Sequence, residues 1–361
     1  MTNSPLAGAA VRPLASARSD QTARSIIETA QDLLGHLAAG RRIEIPAIRT
    51  AMQSAFGASD ASGAWDWKAA YEAVEIAQLL FLRRYGPAIH AKTADPFERL
   101  KLIERIARLA PTHTRRSEDM VQYQQLSTPL GLAWVAGFAA QFQPGELVLE
   151  PSAGTGLLAI HAELADAGLV LNEVANTRLA LLRHLFGVAS VTAHDAAQIH
   201  DRLEPSLMPS CIVMNPPFSA ALGVEARVAD TAFRHIASAL ARLADGGRLV
   251  AITGSRCAPD HAAWRGSFIR LQESARVVFT APIAGRIYAS HGTMFETRLT
   301  VIDKRPADDP CSFLPSHAMA TDLPSLLRML LDSPILWKAL RPRSTWSCRH
   351  PTSAGPSRSS G

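Results

Sequence analysis

The chain reads as an α/β protein, a parallel sheet covered by helices on both faces, with a helical extension ahead of it. Two observations carry this reading. From Glu146 onward short β-rich runs alternate with helical runs, and alternation of that length builds right-handed βαβ units. Ahead of them, over about 110 residues, apolar residues recur at helical spacing without a strand signal. Composition agrees. Of 361 residues 47% are apolar and 19% charged, which supplies a buried core and excludes a wholly disordered chain. At roughly 150 residues per domain, the length fits two domains or one with a large extension.

Residues 1–20 are rich in Ala, Ser and Arg and are expected to be disordered. In Ser25–Leu37 the apolar positions Ile26, Ile27, Ala30, Leu33, Leu34 and Leu37 share a helical face, and Gly40 is a stop. Pro46–Phe56 ends at Gly57 and Trp67–Tyr85 at Gly86; Asp95–Pro96 caps a further helix that Pro111 closes. Residues 21–120 thus form the helical extension. A helix at Pro129–Phe142 opens the second unit, 121–304. Its strands read as Leu147–Glu150, Leu169–Glu173, Ala189–Ala193, Cys211–Asn215, Arg248–Thr253, Arg276–Thr280 and Thr297–Asp303. Helical stretches near 156–167, 176–186, 196–204, 229–244 and 260–274 separate the first six. The last two are joined by a loop with Gly285 and Gly292 and should pair antiparallel. Residues 305–361 read as a mostly disordered basic tail with a helix at Leu323–Leu331; no acidic residue follows Asp332.

Several function classes drop out. The 4 cysteines, at 211, 257, 311 and 348, form no CxxC pair, so no zinc site, other metal or disulfide framework is expected. Free thiols fit a reducing cytosol, hence a cytoplasmic location. The longest apolar run, Leu130 to Ala140, is far short of the roughly 20 residues that span a bilayer, and the first 20 residues do not form a signal peptide. The formal net charge of +5 permits a nucleic-acid partner without demanding one.

The strongest chemical signal is Glu150-Pro151-Ser152-Ala153-Gly154-Thr155-Gly156, at a strand end opening a helix. Its glycines suit either a plain turn or close approach of backbone to ligand at a helix N-terminus. Glu150 would repel a pyrophosphate but attract an ammonium group. Glu173, 17 residues beyond Gly156, is either a solvated strand-end charge or the acid that takes two ribose hydroxyls. Asp195 either caps the following helix or accepts from an adenine amino group, and one carboxylate can do both. About 60 residues past the glycine turn, the fourth strand ends in Asn215-Pro216-Pro217-Phe218. Two prolines cannot continue a strand, so they fix a rigid loop. Asn215 and the Pro216 carbonyl can accept hydrogen bonds from one exocyclic amino group while Phe218 stacks on its ring. This is catalysis by positioning, with no strong base.

These motifs, in this order, resemble the S-adenosylmethionine-dependent DNA adenine-N6 methyltransferases of the gamma arrangement. The similarity spans about residues 122–304, and Ser127-Thr128-Pro129 matches the Thr-Pro segment that precedes the first strand there. STPLGLAW, EPSAGTGLLAIHAELA, NPPFSA and GGRLVAITG are similar to the methylase-like region preceding the helicase in bacterial strawberry notch-like proteins. The resemblance implies a Rossmann-like seven-stranded class I methyltransferase fold, mostly parallel with the last strand antiparallel. S-adenosyl-L-methionine would be the cofactor. Thr128, Glu150, Pro151, Ala153, Gly154, Gly156, Glu173 and Asp195 would bind it, and Asn215, Pro216, Pro217 and Phe218 would be catalytic. The implied partners are DNA and a helicase. RNA amines, protein glutamine, or an accessory role with little activity remain alternatives. Phe218 departs from the Tyr often found there, and no target-recognition domain is expected after the seventh strand. The basic pairs Arg41–Arg42, Arg83–Arg84 and Arg115–Arg116 could contact phosphates or merely be solvated helix ends. Arg178 and Arg183 are expected on a solvated face, Arg227 on a surface or a phosphate. His291, Gly292 and Thr293 lie in a loop that could approach substrate.

Overall fold

A computed structural model describes residues 11–114, 127–217 and 225–333, the side chains of 11–15 and 225–231 excepted. The helical segment comprises α1 (Val11–Ala38), α2 (Ile45–Phe56), α3 (Trp67–Lys92) and α4 (Pro96–Ala107), followed by α5 (Leu130–Ala140). Then come β1 (Leu147–Glu150), α6 (Ala159–Glu163), β2 (Gly168–Asn172), α7 (Asn176–Leu185), β3 (Ser190–Thr192), α8 (Ile199–Arg202) and β4 (Cys211–Met214). The chain continues through α9 (Glu225–Arg242), β5 (Arg248–Gly254), α10 (Ala262–Gln272), β6 (Arg276–Ile283), β7 (Thr297–Asp303) and α11 (Leu323–Leu331).

The seven strands form one sheet in the order β3-β2-β1-β4-β5-β7-β6. β1 to β5 pair in parallel, and β7 inserts antiparallel between β5 and β6. This is the Rossmann-like class I methyltransferase arrangement. Strand order reverses between β1 and β4, which opens a crevice at their carboxyl ends. Side chains alternate between two cores: Val148, Leu171, Val213, Val250 and Val301 face one, while Leu149, Val170, Ile212, Leu249 and Ile302 face the other. At the far end, wholly buried Arg248 donates to Asp303 at 2.8 and 3.2 Å and locks β5 to β7.

Three boundaries differ from the sequence reading. α1 starts at Val11, so residues 11–20 are helical, and Asp20 reaches His184 on α7 at 2.8 Å. α3 runs through Gly86 and Pro87 to Lys92. The proline loses one helix bond, but a Cβ at Gly86 would lie 2.8 Å from Leu164, so glycine there serves close packing rather than a stop. Arg99 caps the far end by donating to the His90 and Thr93 carbonyls. Third, the chain beyond 304 is not merely a tail. Leu323, Leu326, Leu327 and Leu330 of α11 are buried in the main core, and a Cβ on Gly131 of α5 would meet Leu323 at 2.5 Å. Residues 1–10 and 334–361 lie outside the described residues.

The helical segment shares its core with the sheet. Leu79, Leu82, Leu100, Ile103 and Ile106 belong to the cluster that covers one sheet face, while α1, α2 and the start of α3 close a second cluster onto Ala180 and Leu181 of α7. Leu326→Ala in α11 should cost about 3 kcal/mol by cavity formation, read as a lower denaturant midpoint. Met319→Ala, at a half-exposed position, should move it little.

Candidate functional site

The crevice holds a cleft of about 250 Å³. Its walls bring together residues from every strand tip the sequence reading singled out: Thr128, Glu150, Pro151, Ala153, Gly154, Glu173, Asp195, Asn215, Pro216 and Pro217. Gly156 is not in that lining. It sits at φ +89°, and a Cβ on it would lie 2.5 Å from the Phe186 ring, so it serves packing beneath the turn. Gly154, at φ +56°, has open space where a Cβ would be. Phe218 and residues 219–224 lie outside the described residues, as do Arg115 and Arg116 and the side chain of Arg227.

The strand tips are tied by backbone-directed bonds. Asn172 is wholly buried and uses its full capacity. Its Nδ2 donates to the carbonyls of Pro151 and His194, and its Oδ1 accepts from Thr192 Oγ1 and the His194 N–H, all at 2.8–2.9 Å. Glu173 accepts from the N–H groups of Gly154 (3.0 Å) and Ala175 (2.9 Å), so it braces the glycine turn and keeps a lone pair on each oxygen. Asp195 caps the turn after it through the Ala197 N–H, leaving its second oxygen for a ligand. Asn215 donates from Nδ2 to Thr128 Oγ1 at 2.8 Å. That bond joins the segment before β1 to the loop after β4 and orients the amide.

Glu150 is buried at the tip of β1. The Ala159 N–H supports its carboxylate, Oε2 has no partner, and burial raises its pKa well above the usual carboxylate range. A carboxylate so desolvated seeks a cation or a proton.

Sequence reasoning missed a second layer. Arg178 is not on a solvated face: it lines the cleft and is paired with Glu72 of α3 at 2.7 Å, both buried. Burial opposes its charge, but Glu72, Glu173 and Glu75 outweigh it and hold the guanidinium ionised. Glu75 accepts from Thr155 Oγ1 at 2.8 Å, and burial lifts its pKa to about 7 against the pull of Arg178. The signal was two acids three residues apart within α3's apolar stripe. Arg83 is likewise no free phosphate contact, since it forks onto Glu163 at 2.5 and 2.7 Å. Tyr288, in the 3-10 turn Gly285–His291 between β6 and β7, is wholly buried beside Asn215 and Thr297. His235 of α9 and Val174, 57% exposed, also line the cleft.

No protein-family model matches the sequence, and no curated protein matches it. Among solved structures it is similar to TrmN from Thermus thermophilus, at 20% identity over 48% of each chain and a TM-score of 0.36. It thus spans about half of that protein. A Listeria monocytogenes protein assigned as a class I S-adenosylmethionine-dependent methyltransferase aligns over 90% of this chain and 100% of its own (12% identity, TM-score 0.49). The type I restriction-modification methyltransferase subunit from Streptococcus thermophilus aligns over 83% and 81% (12% identity, TM-score 0.42). The fold assignment rests on the strand order itself.

Gly154→Ala should cost about 1–2 kcal/mol through its left-handed backbone. Gly156→Ala should cost clearly more because the Phe186 ring must move, and Phe186→Leu in the same chain should recover part of it in denaturant titration. Glu72→Ala should destabilise by about 3–5 kcal/mol, because it strands a buried guanidinium. Replacing both partners with Leu and Met should restore much of that.

Proposed function

We propose that this protein is an S-adenosylmethionine-dependent methyltransferase acting on an exocyclic amino nitrogen, with adenine N6 in DNA as its target. The observation that carries this reading is a meeting in one cleft. The under-partnered buried carboxylate of Glu150 lies in the same 250 Å³ space as Asn215-Pro216-Pro217.

The residues fit the cofactor. Glu150 Oε2 offers a partner to an ammonium group. Glu173 has lone pairs for two ribose hydroxyls, Asp195 an oxygen for an adenine amino group, and Val174 and Ala196 apolar surface for a ring. Gly154 leaves the turn open to close approach, and Gly156 supports it from below. When bound, S-adenosylmethionine supplies an electrophilic methyl group.

The chain's own part is to aim a nitrogen. Thr128 holds the Asn215 amide in place. The Asn215 and Pro216 oxygens accept the two amino hydrogens, which turns the nitrogen lone pair toward the donor side of the cleft. Pro216 and Pro217 keep those acceptors rigid, and Phe218 would stack on the base. Positioning and aimed dipoles supply the rate. Duplex stacking hides an adenine amino group, so the base must leave the helix to reach this loop. The Thr128 segment standing one helix ahead of β1, and bonded to the catalytic loop, supports the gamma arrangement. The resemblance to methylase-like regions next to helicases supports a helicase partner.

S-adenosylmethionine should raise the melting temperature of the full chain, because it binds the native state. Asn215→Ala should keep that shift and lose roughly 10²-fold or more in methyl transfer. Nucleoside analysis of DNA, RNA and protein acceptors should find N6-methyladenine in DNA; methylated RNA or glutamine instead would reassign the acceptor. No melting shift at millimolar donor would refute the reading.

The Glu150 shift sets a pH dependence. Its native pKa lies above the unfolded value, so its contribution to stability is present at acid pH and is lost as pH rises through the native value. Donor affinity should move oppositely, rising with pH as Glu150 ionises. Glu150→Gln should raise the melting temperature of the free protein at pH 8 while weakening the donor-induced shift.

A further inference from the structure

A second cluster lies behind the cleft, between α3 and the β6–β7 turn. It draws one residue from each of three distant segments: Glu75 on α3, His113 from the stretch after α4, and His291 from the turn Gly285–His291. Their coordinating atoms all lie within 4.8 Å of one another. The Nδ1 atoms of both histidines are buried with no hydrogen-bond partner. Two imidazoles, each with an orphaned nitrogen, clustered with one buried carboxylate make an arrangement that burial alone penalises.

We propose that Glu75, His113 and His291 form a binding site for one first-row divalent cation of the zinc or ferrous class. Two imidazoles and one carboxylate are a donor set suited to such ions. No local pattern marks it, because the three ligands span more than two hundred residues and form no CxxC or HxxH spacing.

The surroundings are those of a held site. His113 is stacked on Tyr71 at 4.0 Å, and its ring centroid is 4.8 Å from that of His291. The His113 N–H donates to the Ser290 carbonyl at 2.8 Å, which ties the two histidine-bearing segments together. Thr155 and Ser127 hydrogen-bond to the Glu75 carboxylate, orienting it as outer-shell partners orient metal ligands; a carboxylate has lone pairs to spare for a metal beyond these.

Metal–ligand bonds of about 2.1 Å allow two ligands of one ion to be at most about 4.2 Å apart, and about 3.4 Å in a tetrahedron. Binding therefore draws the widest pair together by between about 0.6 and 1.4 Å, within reach of a ring swing in the β6–β7 turn. The ion would join the helical segment to that turn. It would also sit one hydrogen bond from Thr155 in the glycine turn, while Tyr288 of the β6–β7 turn lies beside Asn215. The site is independent of the methyl-transfer reading.

The test uses tag-free full-length protein stripped with a chelator. Titration of Zn²⁺ against a chromophoric competitor should give one equivalent bound at micromolar affinity or tighter. His113→Ala and His291→Ala should each weaken it by about 10²-fold or more, with His36→Ala on α1 unaffected. X-ray absorption on the wild-type zinc form should count two imidazoles, the rest oxygen, and needs no variant to fold. Wild-type protein that takes up no zinc, folded variants that bind as tightly as wild type, or a shell with sulfur or without two imidazoles would overturn the proposal. In the first case a bridging water satisfies the two nitrogens.

Discussion

Everything at the cleft depends on two carboxylates of α3 that are buried and must be answered. Glu72 and Glu75 sit three residues apart on a helix whose neighbouring positions are apolar. A buried charge without a partner costs several kcal/mol, so the fold brings partners to them. Arg178 comes from α7, 106 residues on, and Thr155 comes from the glycine turn, 80 residues on. Those two bonds make the helical segment the layer behind the cleft, whose own lining comes from Ser127 onward. Arg83 of the same helix repeats the device on Glu163.

With that layer fixed, the strand tips can be held by satisfied polar groups instead of by bulk. Asn172 ties the segment after β1 to the end of β3 with four hydrogen bonds, Glu173 braces the glycine turn from below, and Thr128 grips Asn215. The contrast is Glu150, left with an oxygen unanswered. Of the three carboxylates that line the cleft, Glu150 alone keeps a buried oxygen without a partner, and a cationic ligand can relieve it.

The sheet was legible in the sequence because its signal is local. Each strand is a short apolar run bounded by turn residues, and the bare loop between the last two marked the antiparallel pair. The cleft motifs were legible for the same reason: glycine at a strand end and paired prolines after another carry their meaning within a few residues. What stayed hidden depends on partners far along the chain. Arg178 looks like a solvated helix charge until Glu72 is beside it. Gly86 looks like a stop until Leu164 packs on it. Gly156 looks like a ligand contact until Phe186 lies 2.5 Å from its missing Cβ. The helical segment looked separable because periodicity reports which face is buried and not what it is buried against.

α3 and the strand tips form one cooperative structure, so that the cleft does not exist without the helical segment. Native-state hydrogen exchange in mild denaturant, followed by mass spectrometry on peptides covering 67–92 and 147–173, measures this most directly. The two regions should open together, with the same free energy and the same denaturant dependence, and S-adenosylmethionine should slow exchange in both. Exchange of 67–92 at low denaturant while 147–173 stays protected, and stays responsive to the donor, would contradict it.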